Sequence, residues 1–213
     1  MEGNEKPSLW EQRRELEKYV CGVVSRLQSA YLVQNNSSWA AGTLAELRRA
    51  VAEKPFENPG VWTIEYGEMP RCLEGVGDSA SQAEWAVHGA LTLYAINQQS
   101  RQEPMHKQGK EYNMGAAVRR MVLANPDKYE NLQSGEMPRR FVALATANSF
   151  DEVLHYARQL VQQLRASDIP LDYGRLAGDL FDMQNPFRAD AVRLRWGRGY
   201  TYYKPSASDG DSN

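Results

Sequence analysis

Cysteine is scarce: Cys21 and Cys72 are the only two in 213 residues. They form no CxxC pair, so neither a thiolate metal site nor a disulfide framework is indicated, and a reducing cytoplasm is the expected location. Histidine is nearly as rare. His88, His106 and His155 lie far apart, with no HExxH motif among them. No apolar run approaches the ~20 residues needed to cross a bilayer, so no membrane partner is expected. The opening residues, MEGNEKPSLWEQ, are polar and acidic, unlike a secretory leader. GxSxG and Walker loops are missing. Gly75-Val76-Gly77 is half of a dinucleotide fingerprint with no strand before it and no third glycine, which reads as a turn. No segment shows convincing strand alternation. Excess charge is small as well, the formal net value being -2.

Arginine stands out against this background, outnumbering lysine 18 to 7. It falls in doublets, Arg13-Arg14, Arg48-Arg49, Arg119-Arg120 and Arg139-Arg140, with a further cluster of Arg193, Arg195 and Arg198. A guanidinium is a planar, permanent cation that binds phosphate oxygens in pairs, whereas lysine is a hydrated point charge. The charge is also uneven. Residues Ala41 to Ile96 carry four Lys/Arg against eight Asp/Glu, and Arg188 to Lys204 carry five against one. Each doublet alone is compatible with ordinary salt bridges to nearby glutamates. Several together favour a polyanionic partner.

Helical signals run through the chain. Ser8 with Glu11 forms a capping box ahead of Leu16, Val20, Val23, Val24 and Leu27 at helical spacing. Thr43 with Glu46 repeats that signature and predicts a helix start there. Asn58-Pro59 is a cap followed by proline at the first helical position, and Gly67 a stop. Ser81 with Glu84 opens the most apolar stretch, to Gln99, whose residues are apolar on nearly every side; it is the predicted central helix, with His88 a core residue rather than a ligand. After Ser100 the pattern gives way to RQEPMHKQGKEYN, a polar, basic loop. Helices are expected again from Asn113, from Asn125-Pro126 to Gly135, from Pro138 to Ala147, from Ser149 to Arg165, from Asp172, and after Pro186. Arg139-Arg140 sit in a first turn, where the helix dipole disfavours cations; that misfit favours an anion nearby. The Ser/Gly-rich end from Pro205 is expected to be disordered. The pentapeptide Gly-Glu-Met-Pro-Arg occurs twice, at Gly67–Arg71 and Gly135–Arg139, and reads as recurrent helix-stop chemistry. The fold class is all-α.

One enzymatic reading rests on Asp168, Asp172, Asp179 and Asp182, whose spacing lines carboxylates along a helix side for Mg²⁺ and phosphodiester cleavage. Asp168 and Asp172 also fit a turn and a cap, where aspartate is common for backbone reasons. A helical adaptor using its doublets as salt-bridge clamps is a further alternative.

ALTLYAINQQS (Ala90–Ser100), Met105-His106, Met114-Gly115-Ala116-Ala117 and Arg119 resemble the CasB family, the small subunit of the type I-E CRISPR surveillance complex, Cascade. LAELRRA (Leu44–Ala50), RRFVALATA (Arg139–Ala147), QLRASDIPLDYGRLAGDL (Gln163–Leu180) and the ending VRLRWGRGYTYY are similar too, so the likeness spans Leu44 to Tyr203. It implies an all-α protein of two packed helical bundles, here 9–125, with the basic loop near 100–113, and 126–204, followed by the tail 205–213. It implies no catalytic activity and no cofactor. The implied partners are the guide crRNA, target and non-target DNA, the backbone filament subunit, the large subunit and a second copy of the chain. By position, Arg48, Arg49, Arg139 and Arg140 match family doublets. Lys107 and Lys110 match a family basic loop, and Arg119, with Arg120 beside it, falls in a shared motif. Arg193, Arg195 and Arg198 are added as expected phosphate contacts from their own clustering. Tyr200, Tyr202 and Tyr203 either stack bases or pack the last helix.

Overall fold

The computed structural model describes residues 7–33, 37–129 and 137–204. These form nine α-helices: α1 (Leu9–Leu32), α2 (Ser37–Ala50), α3 (Trp62–Tyr66), α4 (Gln82–Gln98), α5 (Met114–Ala124), α6 (Arg139–Ala145), α7 (Phe150–Ala166), α8 (Tyr173–Met183) and α9 (Pro186–Thr201). Single 3-10 turns lie at Pro59–Val61, Arg71–Leu73 and Lys110–Tyr112. Among the described residues there is no strand, only one isolated bridge between His106 and Leu171. The all-α reading holds.

Local chemistry sets most helix starts. At α1 the Ser8 hydroxyl accepts the Glu11 N–H while the Glu11 carboxylate accepts the Ser8 N–H at 2.8 Å. Ser81 and Glu84 do the same at α4. Asn113, Ser149, Asp172 and Asn185 cap α5, α7, α8 and α9 through their side chains. Each such cap is worth about 1 kcal/mol.

Three sequence expectations shift. α2 begins at Ser37, ahead of Thr43, because Ala40 is fully buried and packing carries the helix through Gly42. The Thr43–Glu46 spacing is therefore not a cap. The repeated Met-Pro-Arg starts helices as well as following a stop. Pro70 (φ -57, ψ 134) precedes the 3-10 turn at Arg71, and Pro138 (φ -54, ψ 133) precedes α6. Gly67 does end α3, its N–H donating to the Thr63 carbonyl at 3.1 Å, whereas Gly135 lies outside the described residues. Of the helix expected after Asn125, residues 126–129 form a turn and 130–135 lie outside the described residues, as does the tail from 205.

α4 is the hub. It is apolar on nearly all sides and packs against α1, α2, α7 and α8, while α1 lies along α8 and α5 crosses α9. One cluster of buried side chains runs from Leu16 to Tyr200, so helices from both sides of residue 125 contribute to it. His88 is buried there, as expected of a core histidine.

Candidate nucleic-acid interface

α5 and α9 approach so closely that a Cβ added at Gly115 would overlap the Trp196 carbonyl oxygen. Gly199 is likewise seated against the Asn113 side chain that caps α5. Where these helices meet the 3-10 turn at Lys110–Tyr112, a groove of about 760 Å³ opens. Lys110, Arg120, Arg195 and Arg198, all expected from sequence, converge on it. Arg13, Arg175 and Lys204 join them, against two acids, Glu111 and Asp179.

The groove cations differ in how committed they are. The Arg120 guanidinium lies between the Tyr112 ring, 4.4 Å away, and the Tyr203 ring, 4.7 Å away. It also donates to the Tyr203 hydroxyl at 3.0 Å and the Glu111 carbonyl at 2.9 Å. Arg195 donates to Asp179 at 2.7 Å and Asp182 at 3.0 Å. Arg13 and Arg188 reach Asp182 at 2.8 and 2.6 Å, and the Trp196 indole N–H donates to Asp179 at 2.7 Å. Burial alone would lower the Arg195 pKa, but the charges and hydrogen bonds of the two aspartates outweigh it and raise the value. By contrast, Lys110, Arg198 and Lys204 are exposed, and their side chains make no ion pair or hydrogen bond among the described residues.

A second basic depression, of about 460 Å³, joins Arg48 and Arg49 to Arg158 and Arg165 of α7. Arg49 pairs with Glu46, and Arg165 donates to the Gln99 carbonyl at 2.9 Å. Burial, reinforced by Arg165 and Arg49 and opposed by Tyr31, holds the Arg48 pKa below the usual arginine value.

The other expected residues are spread over the surface. Arg139 and Arg140 are exposed on the first turn of α6, with Arg140 donating to Gln159 at 2.8 Å. Lys107 is exposed in the loop, and its backbone N–H donates to Leu171 at 3.3 Å. Arg119 lies over the buried Tyr200 ring, 5.6 Å from its centre. Arg193 turns toward the end of α6, donating to Ala145 at 2.6 Å and pairing with Asp190 at 2.8 Å.

The four aspartates considered for metal chemistry are engaged by cations or backbone. Asp168 pairs with Arg101 at 2.8 Å; Asp172 caps α8, accepts the Gly109 N–H at 2.9 Å and faces Arg175 at 3.4 Å. Among the described residues no group of three or more His, Cys, Asp or Glu is placed to hold a metal ion.

Sequence reasoning left Arg13, Arg175, Lys204, Arg158 and Arg165 out of the site. Arg158 and Arg165 carried a usable signal, lying seven apart on an amphipathic helix and so on nearly one side. Arg13 belongs to the first arginine doublet, but nothing in its spacing ties α1 to α8 and α9, and Arg175 carried no signal.

Residues 43–201 match the family described as CRISPR-associated protein Cse2. The crystal structure of CasB from Thermobifida fusca is 32% identical, with 87% of this chain and 97% of that one covered and a TM-score of 0.67. A CRISPR-associated protein of the Cse2 family from Thermus thermophilus is 22% identical over 88% of this chain and 98% of its own, with a TM-score of 0.61. At that identity it speaks for the fold alone. No curated protein matches the chain. The chain therefore belongs to the Cse2, or CasB, family of CRISPR-associated proteins.

Proposed function

We propose that this chain is a non-catalytic, nucleic-acid-binding subunit of an RNA-guided CRISPR surveillance complex of the type I-E Cascade kind. In this reading it acts in the cytoplasm beside the backbone filament subunit, the large subunit and a second copy of itself. It supports the pairing of crRNA with target DNA and holds the displaced strand. The observation that carries the reading is the groove between α5 and α9, where Lys110, Arg198 and Lys204 have no ion-pair partner among the described residues and line the same wall as tyrosine rings. In RNA-guided systems base pairing reads the sequence, so a subunit of this kind needs only backbone contacts. RNA–DNA pairing nearly balances the duplex it replaces, and modest contributions from such contacts decide whether the open state persists. The depression around Arg48 and Arg49 and the exposed Arg139 and Arg140 offer further phosphate contacts. A non-catalytic role is supported by the arginine and backbone partners that engage Asp168, Asp172, Asp179 and Asp182.

The test is the double variant Lys110→Glu/Arg198→Glu in the assembled complex. Both side chains are exposed and make no ion pair among the described residues, so the melting temperature should scarcely move. Binding of fully matched duplex target should weaken, and binding of a target already unpaired should suffer less, because no displaced strand competes. For the free subunit on single strands, losing two phosphate contacts should flatten the slope of log K against log salt by about 1.4. A complex that opens duplex target as well as wild type would overturn the reading. Mg²⁺-dependent DNA cleavage that Asp179→Ala abolishes would overturn its non-catalytic part.

A further inference from the structure

α9 and the residue pair after it carry three tyrosines, and they have three different environments. Tyr200 is buried, with Phe141 stacked on it at 5.7 Å and Arg119 over its ring. Tyr203 holds Arg120 through its ring and its hydroxyl. Tyr202 has no such ring or cation contact among the described residues. Its side chain lines the groove beside Arg198 and Lys204, and the residue is 73% exposed.

We propose that Tyr202 is a stacking platform, so that the groove takes an unpaired nucleic-acid strand by its bases as well as its phosphates. The inference rests on the reading of the groove given above and adds a residue that would hold the bases of the strand. A phenol ring left in water at the end of a helix contributes little to the core. In a groove it shares with Arg198 and Lys204, it offers a flat apolar face beside groups that would fix a phosphate. Every base has a π-face and can use such a platform whatever its identity, whereas a duplex keeps its bases stacked on one another. The same wall already holds one planar group by ring contact, the Arg120 guanidinium between Tyr112 and Tyr203. The groove, at about 760 Å³, leaves room for a flat base.

Fluorescence anisotropy of the full chain with three labelled ligands of equal length tests this: a single strand, the same strand with abasic sites, and a duplex. The proteins are wild type, Tyr202→Ala, Tyr202→Phe and Lys110→Glu/Arg198→Glu, each checked for an unchanged melting curve. Wild type should bind the intact strand about 5- to 150-fold more tightly than the abasic one for each stacked base, and more tightly than the duplex. Tyr202→Ala should erase the gap between intact and abasic strands, and Tyr202→Phe should keep it. Equal binding of intact and abasic strands by wild type, a Tyr202→Ala protein that behaves as wild type, or equal binding of duplex would overturn the stacking role. In any of those cases, weakened binding by the charge-reversed variant would leave the groove as a backbone site. If that variant also binds all three ligands normally, the groove reading itself fails.

Discussion

Among the described residues, the most heavily buried acidic side chain lies against a histidine. Glu65 has no exposed surface, and its carboxylate lies 3.0 and 3.1 Å from Nδ1 of His88. The other ring nitrogen faces the Glu53 carbonyl at 3.1 Å, so both nitrogens have acceptors, the arrangement that suits an imidazolium. Burial alone would lower the His88 pKa; the hydrogen bond and charge of Glu65, with the Glu53 and Ala50 carbonyls, reverse that, and the net shift is upward. A folded value above the unfolded one means that this pair stabilises fully below about pH 6.5 and ceases to do so as pH rises through the folded value. Removing the cation strands the Glu65 carboxylate, so His88→Gln should cost about 3–5 kcal/mol near pH 6. Denaturant melts should show that gap narrowing as pH rises through the raised folded value. His106 works in the opposite sense. Burial lowers its pKa against the pull of Asp172, and its Nδ1 accepts the Tyr173 N–H at 3.2 Å, which suits a neutral ring. Its contribution is present above the unfolded value and is lost as pH falls through the lowered one. Sequence placed His88 in the core because the helix around it is apolar on all sides. Glu65 gave no such sign, being an acid in a five-residue helix 23 positions upstream.

At the scale of elements, the crossing of α5 and α9 is what makes the groove. Because Gly115 faces the Trp196 carbonyl, backbone rather than a yielding side chain, Gly115→Ala must push the helices apart. Overpacking of this kind costs about 1–3 kcal/mol. Thermal melting should show that loss, and single-strand affinity should fall with it even though no groove cation has changed. Helix starts were legible where the signal is local, as at Ser8, Ser81, Ser149 and Asp172, whose side chains bond to backbone three residues on. The groove was legible only in part. Lys110 and Arg120 meet Arg195 and Arg198 through tertiary packing, and no spacing along the chain encodes that meeting. Adjacent members of a doublet also part company, since they point about 100° apart on a helix. Arg119 covers a buried ring while Arg120 sits in the groove wall.

Across the whole molecule, the arginine count overstates the positive charge open to a ligand. Arg13, Arg188 and Arg195 surround the carboxylates of Asp179 and Asp182, and that network ties α1, α8 and α9 together. α8 also lies along α1 and α4, so neither helix can complete its buried face without it. A chain ending at Ser167 should therefore lose the cooperative melting transition and bind a hydrophobic dye, which fluorescence would report. The pairing of α1 with α8 also bears on how the protein is made. Arg13 and Asp179 are 166 residues apart. At ribosomal rates of about 5–20 residues per second, α1 leaves the exit tunnel on the order of ten to thirty seconds before its partner. For that interval Leu16, Val20, Val23 and Leu27 have no α8 to cover them, and the nascent chain presents a greasy stripe that a ribosome-associated chaperone is suited to shield.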